Sequence, residues 1–275
     1  MTPIEKALAR AARELSGSSM TARLDAEVLM AAALGIGRDR LLLDSPAGTP
    51  PAAFGGFIAR RMAGEPVAYI TGRRDFWTVE LEVGPGVLIP RPDSETLMVA
   101  AVEHFRGGSG PKRILDLGTG PGTLLLAALD EWPRATGLGV ESSPIALSYA
   151  QRNAERLGLA GRAAFQLGDW ARDIALRFDL VLANPPYVAE AAPLGPGVAD
   201  YEPPEALFAG PDGLDDYRRL APQLAGLIAP GGLAAIEIGF DQGESAAAVL
   251  RGAGVETRLV LDLAGLPRAL LATRA

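Results

Sequence analysis

Over the first 65 residues, apolar positions recur every three or four. Ile4, Leu8, Ala11, Ala12 and Leu15 fall on one face of a helix. Thr2-Pro3-Ile4-Glu5 in front of them supplies a capping box, with proline at the first helical position. The same period runs through ARLDAEVLMAAALG and stops at Gly35. TPPAAFGGFIARRMAGE predicts a further helix, weakened by its paired glycines. Residues 1–65 are therefore expected to form a small helical domain. Then the pattern changes. VAYITGRRDFWTVELEVGPGVLIPRP is rich in β-branched and aromatic residues, with turn signals at Gly72 and Gly84-Pro85-Gly86. It predicts a β-hairpin over 66–92 that links two domains. DSETLMVAAVEHF follows as a helix capped by Asp93 or Ser94.

From residue 113 onward, apolar runs alternate with amphipathic ones. RILDLG, TGLGVE, AAFQLGD, DLVLANP and GLAAIEIG read as strands. PGTLLLAALDEW, PIALSYAQRNAERLG and LDDYRRLAPQLAGLIAP read as helices between them. Strand and helix in alternation predict an α/β domain over 93–275, built on a doubly wound parallel sheet. VETRLVLDLAG and LPRALLATRA read instead as two strands joined by a turn, so one of them is expected to run antiparallel.

Ligands of open α/β sheets bind along the carboxyl edge of the strands, and the expected strand ends carry distinctive residues. The first runs into Gly118-Thr119-Gly120-Pro121-Gly122, spaced G-x-G-x-G after Asp116. This is neither the dinucleotide fingerprint nor a P-loop, because no Gly-Lys-Ser/Thr follows. The second strand ends in Glu141, placed to accept both hydroxyls of a ribose. Next comes Asp169-Trp170, an acceptor for the exocyclic amine of adenine and a residue that can pack on the base. Together these ends predict a nucleoside site. The fourth strand stops at Asn184-Pro185-Pro186-Tyr187, where two prolines forbid continuation of the ladder. The Asn184 side-chain oxygen and the Pro185 carbonyl could hold the NH2 of a planar amide or aromatic amine, and Tyr187 could lie flat against it. Because proline fixes φ, those acceptors are set before binding.

Composition removes several alternatives. With 26 Lys and Arg against 33 Asp and Glu, the chain carries −7, which argues against an extended grip on nucleic acid. There is no cysteine, so disulfides, thiolate catalysis and Cys-ligated metal are excluded, and no metal site is expected. MTPIEKALAR is charged and amphipathic, with no apolar signal core. No run approaches the ~20 apolar residues of a membrane span. The expected compartment is the cytoplasm, without a membrane or direct nucleic-acid partner. The single histidine, His104, falls in an expected helix away from the strand ends and is read as an ordinary helix residue.

Gly118–Gly122, Glu141, Asp169 and the Asn184-Pro185-Pro186-Tyr187 elbow resemble the S-adenosylmethionine-dependent methyltransferases that modify planar nitrogens. The elbow occurs in both adenine-N6 and glutamine-N5 enzymes. GEPVAYITGRRDFW, VLIPRPDSETL, YEPPEALFAGPDGLDDYRRL, EIGFDQG and LDAEVLMAAALGIGRDRLLL further resemble the release factor glutamine methyltransferases, over almost the whole chain. That resemblance implies a Rossmann-like seven-stranded sheet behind an N-terminal helical domain and a hairpin. It also implies S-adenosylmethionine as cofactor, S-adenosylhomocysteine as product, and the glutamine of a Gly-Gly-Gln motif in peptide-chain release factors as substrate. Gly118, Thr119, Gly120, Pro121 and Gly122 then take the methionine part of the donor, Glu141 the ribose, and Asp169 and Trp170 the adenine. Asn184 and Pro185 hold the glutamine NH2, Pro186 shapes the elbow, and Tyr187 packs on the amide. IPRP at 89–92 would wall the substrate pocket, with Arg91 touching the protein substrate or stabilising the hairpin. The chain is read as a monomer. Two residues depart from the family pattern: Glu141, where Asp is commoner, and Pro121, which removes a backbone donor from the loop. The rival readings are a methyltransferase for a ribosomal-protein glutamine, a nucleic-acid adenine methyltransferase, and a nucleoside-binding scaffold.

Overall fold

The computed structural model describes residues 1–44, 48–195 and 197–274, which divide into two units. The first comprises residues 1–73 with 194–201. Its opening helix, Pro3–Leu15, has the full capping box: Glu5 N–H donates to Thr2 Oγ1 at 3.1 Å and Thr2 N–H to Glu5 Oε2 at 2.8 Å. The helix Ala22–Leu34 ends at Gly35 in the left-handed conformation, φ 66°. Arg38–Asp44, Ala52–Met62 and Val67–Thr71 complete the bundle. Ile4, Leu8, Leu15, Leu29, Met30, Phe54 and Ile58 form its core. Each such side chain contributes roughly 1.5–3 kcal/mol by leaving water. The short helix Val198–Tyr201 belongs here too, where the Tyr201 hydroxyl donates to the Ala63 carbonyl at 3.2 Å.

The hairpin is shorter than the 66–92 expected. Its strands are β1 (Arg73–Phe76) and β2 (Val79–Glu82). The β-branched start coils instead into the helix Val67–Thr71, because Ala68, Tyr69 and Ile70 gain burial that way and burial overrides a weak β preference. Beyond β2, Pro85, Pro90 and Pro92 withhold the donors that a longer ladder would need. Nor does β2 behave as a free linker. Glu82 N–H donates to Asn153 Oδ1 at 2.7 Å, and the fully buried Asn153 returns Nδ2–H to the Glu82 carbonyl at 3.0 Å.

The second unit comprises residues 74–193 and 202–275. Its strands are β3 (Arg113–Leu117), β4 (Thr136–Glu141), β5 (Ala163–Leu167), β6 (Phe178–Ala183), β7 (Ile228–Glu237), β8 (Val255–Leu261) and β9 (Pro267–Arg274). They form one sheet in the order β5-β4-β3-β6-β7-β9-β8. The first five are parallel, and β9 runs antiparallel to both β7 and β8. The last expected strand residue, Ala275, lies outside the described residues. Helices Glu95–His104, Thr123–Glu131, Pro144–Arg156, Asp215–Leu227 and Gly243–Gly252 accompany the sheet. Leu115, Leu117, Val181, Ile236, Tyr217 and Leu224 are fully buried in its core. Among the described residues, no helix is long and apolar enough to cross a membrane.

Register sets the position of the site. Leu117 pairs with Val140 and Ala183, Glu141 with Leu167, and Ala183 with Ile236. Glu141, Gly118, Asn184 and Glu237 therefore share one row across the carboxyl edge, with Gly168-Asp169 one step beyond it on β5. β3 stands where the order reverses, the topological switch point at which such sheets bind ligands. His104 lies elsewhere, its Nε2 3.2 Å from the carbonyl of Gly231.

Candidate active site

A cavity of about 400 Å3 opens along this row, within the usual range of ligand pockets. Its floor is the glycine loop. Gly120 has φ 57°, and a Cβ there would meet no protein atom within 4 Å, so its open side faces the cavity. Gly122, at φ 89°, does a different job. A Cβ would stand 2.7 Å from Leu126 Cδ1, so glycine lets the helix Thr123–Glu131 begin close against its neighbours. Gly122 does not border the cavity, whereas Gly118, Thr119 and Pro121 do. Pro121 lacks an N–H, but its carbonyl accepts from Asn153 Nδ2 at 2.9 Å, which ties the loop to the same side chain that holds β2. Beneath the loop, Asp116 Oδ2 accepts from Thr119 Oγ1 at 2.6 Å and from Leu125 N–H at 3.1 Å. Asp116 Oδ1 is buried with no hydrogen-bond partner among the described residues. Burial pushes this carboxyl up to about 7, and the nearby Glu141 adds to the rise, against the two hydrogen bonds.

Glu141 borders the cavity, and its carboxylate is also a structural clamp. Oε2 accepts from Gly120 N–H at 2.8 Å, while Oε1 accepts from Ser142 N–H and Ser143 N–H at 2.8 and 2.9 Å. A carboxylate offers about four lone-pair sites, so Oε2 retains capacity for a ligand hydroxyl. The longer arm of Glu lets one carboxylate serve both the loop and the helix start. Asp169 is less free than expected, because Arg219 and Arg172 both form ion pairs with it. Arg219 also bridges to Asp216 at 2.9 Å. Trp170 adopts φ 52°, rare for a bulky side chain. Its six-membered ring lies over Gly118, 3.6 Å from where a Cβ would stand.

At the elbow, Asn184 and Pro186 border the cavity, but Pro185 and Tyr187 do not. Asn184 Nδ2–H donates to Ser94 Oγ at 3.2 Å, which leaves Oδ1 as the group available to a ligand. The sequence predicts Asp93 or Ser94 as the cap of the following helix, Glu95–His104. For Ser94 the structure shows another use. Its side chain makes no capping hydrogen bond and is turned to the elbow, 2% exposed. Tyr187 packs against the sheet core, and its hydroxyl donates to Glu237 Oε1 at 3.3 Å. Burial and the Glu237 charge hold that phenol well above the ordinary tyrosine range. The Tyr187 carbonyl accepts from Gln242 Nε2 at 3.0 Å, and the same amide nitrogen donates to Gly213 O at 3.2 Å. IPRP does wall the cavity through Pro90 and Arg91. Arg91 pairs with the buried Glu202, whose other oxygen accepts from Ile89 N–H at 3.0 Å.

Several residues here have no part in the site as read from the sequence: Ser94, Asn153, Glu202, Arg219, Glu237 and Gln242. For Glu237 a signal existed, an acid inside the apolar run AAIEIG that ends a buried strand. Ser94 had none, because a serine before a helix reads as a cap.

Fold and site together define a Rossmann-like, S-adenosylmethionine-dependent methyltransferase. Residues 109–208 match the family described as "Methyltransferase domain", and residues 6–72 match "PrmC N-terminal domain". A methyltransferase from Pyrococcus furiosus shares the fold, at TM-score 0.54 and 17% identity over 78% of this chain and 95% of that one. The release factor glutamine methyltransferase of Rhodospirillum rubrum is 45% identical over 92% of this chain and 79% of its own. That of Moorella thermoacetica is 42% identical over 98% of both. The chain belongs to the release factor glutamine methyltransferase family. These relatives favour that assignment over the ribosomal-protein and nucleic-acid readings.

Proposed function

We propose that this enzyme methylates the side-chain amide nitrogen of the glutamine in the Gly-Gly-Gln motif of peptide-chain release factors, with Asn184 as the residue that orients the nitrogen. The observation that carries this reading is the commitment of Asn184 Nδ2 to Ser94, which leaves Oδ1 for the cavity beside the glycine loop. S-adenosylmethionine supplies an electrophilic methyl on a sulfonium. The residues present suit it. The orphaned Asp116 Oδ1 fits an ammonium, Glu141 Oε2 has capacity for ribose hydroxyls, and the open side of Gly120 admits close approach of a ligand. Trp170 offers a ring to the adenine, and Asp169 accepts its amine on lone pairs left by the arginines.

A carboxamide nitrogen is a weak nucleophile because its lone pair is delocalised. Asn184 Oδ1, the acceptor that borders the cavity, binds one of its hydrogens and sets its orientation, and the buried Pro185 fixes the backbone that carries it. Holding the nitrogen in a near-attack pose supplies much of the acceleration as effective molarity. The proton then leaves to water. Pro186 stiffens the elbow. Tyr187 supports it from behind, with its hydroxyl anchored on Glu237. Arg91, held by the buried Glu202, forms part of the cavity wall, and the helical domain docks the release factor.

Purified enzyme incubated with radiolabelled S-adenosylmethionine should label a release factor, and should not label one whose Gly-Gly-Gln glutamine is replaced. Label on DNA or on a ribosomal protein instead would overturn the assignment. A second expectation concerns Gly120→Ala. The new methyl meets no protein atom, so the fold loses only about 1–2 kcal/mol for a side chain at positive φ. The methyl enters the donor's space, however, and calorimetry should show donor affinity down by about tenfold or more.

A further inference from the structure

Behind the elbow lies a group that the chemistry above does not use. Glu237 ends β7 beside Asn184 in the sheet row and is 1% exposed. Its Oε1 accepts from the Tyr187 hydroxyl, and its Oε2 has no partner within hydrogen-bond geometry among the described residues. Ser94, which accepts from Asn184 Nδ2, is also in contact with this carboxyl. We propose that Glu237 is the positioning residue of the transfer: through the Ser94 hydroxyl it fixes which end of the Asn184 amide faces the cavity, and through Tyr187 it anchors the far side of the elbow. The inference rests on the functional reading above.

The argument is one of hydrogen-bond polarity. An ionised carboxylate only accepts. It therefore draws the hydroxyl hydrogens of both Ser94 and Tyr187 toward itself. Ser94 Oγ is left with lone pairs for the Asn184 side, which selects Nδ2 there and sends Oδ1 to the substrate. A protonated Glu237 can donate to Ser94. The Ser94 hydrogen is then free to point at Asn184, where it favours the oxygen. The amide can reverse, presenting NH2 to a substrate NH2, and two donors repel. The surroundings bear on this switch from every side. Arg268 on β9 favours the ionised form, while Asp93 beside Ser94 opposes it and shares Arg268 in an ion pair at 3.3 Å. Arg268 also pairs with Asp262 at 3.2 Å. Tyr217, on the helix Asp215–Leu227, donates its hydroxyl to the Glu237 carbonyl oxygen, so it does not compete for the carboxylate. Burial outweighs the favourable contacts and brings Glu237 up to about 7, where the switch is accessible.

The test compares wild type, Glu237→Gln and Ser94→Ala in methyl transfer to a release factor at saturating donor, across pH. Wild-type kcat should fall about tenfold per pH unit below about pH 7. Glu237→Gln can satisfy only one of the two hydroxyls. Its kcat at about pH 8 should drop on the order of 10- to 100-fold, with the acid limb gone and donor Kd unchanged within about threefold. Ser94→Ala should lose kcat likewise with donor Kd unchanged. A Glu237→Gln enzyme that matches wild type at about pH 8, or keeps the same acid limb, overturns the proposal. So does a loss of donor affinity equal to the loss of kcat. A readout without turnover separates this from the substrate assignment: the side-chain amide 15N resonance of Asn184 should move through the acid limb in wild type and stay fixed in Glu237→Gln. If it moves in both, Glu237 does not position Asn184, whichever substrate the enzyme takes.

Discussion

Asn184→Ala is expected to reduce kcat on the order of a thousandfold or more while leaving donor affinity within about tenfold. In the proposed mechanism the side-chain oxygen accepts from a nitrogen that becomes more acidic as the methyl transfers, so the interaction is strongest in the transition state and weak in the ground state. Removing one preorganised hydrogen-bonding group from such a site typically costs ~100- to 1,000-fold. Here the loss should reach or exceed the upper end, since the same group also sets the direction of the nucleophile. The backbone should be undisturbed. Pro185 and Pro186 keep their φ, and the Tyr187 carbonyl stays latched by Gln242. Calorimetry with S-adenosylhomocysteine and single-turnover transfer at saturating donor together check the split. Normal turnover in the variant would remove the basis of the mechanism.

Asp116→Asn should make the protein more stable and a poorer donor binder, and the gain should depend on pH. The Asp116 carboxyl is raised from 3.8 to about 7 by burial, so between those values the folded chain holds a proton that the unfolded chain releases. Its cost to stability is absent below about pH 4, grows as pH rises, and is complete above about pH 7, where it reaches about 4 kcal/mol. Asn can accept from Thr119 and Leu125 as Asp116 Oδ2 does, and it carries no charge to bury. The variant should therefore melt higher than wild type at about pH 8, with the difference shrinking toward about pH 4. Thermal melts of the two proteins across this range decide it, and equal melting temperatures at about pH 8 would refute the reading. Donor affinity should fall about tenfold or more if, as proposed, the orphaned carboxylate oxygen takes the donor's ammonium, because Asn places an amide there. Glu237→Gln should follow the same pH trend with a smaller gain, since Gln cannot accept from both Ser94 and Tyr187.

Local rules were enough for the elements. The capping box at Thr2, the stop at Gly35, the strands β3 to β6 and an antiparallel member in the last strand pair all follow from short-range periodicity and turn chemistry, and the structure shows that member to be β9. The carboxyl-edge residues Gly118, Glu141, Asp169 and Asn184 were legible for the same reason. In a parallel sheet every strand end is delivered to one edge, so topology alone brings them together. Where local preference and burial disagreed, local preference failed: residues 67–71 coil instead of pairing, and Ser94 serves the elbow instead of its helix.

The sequence by itself determined the α/β class, the position of the donor loop and the presence of the Asn-Pro-Pro-Tyr elbow, because each depends on neighbours within a few residues. Only the tertiary structure decided what stands behind them: Asn153 joining the hairpin to the glycine loop, Arg219 claiming part of Asp169, Ser94 bonded to Asn184, and Glu237 bonded to Tyr187. Those contacts join residues that lie between about 30 and 140 positions apart in the chain. Their partners are chosen by which side chains fill the same buried space, and that selection leaves no periodic trace in the chain.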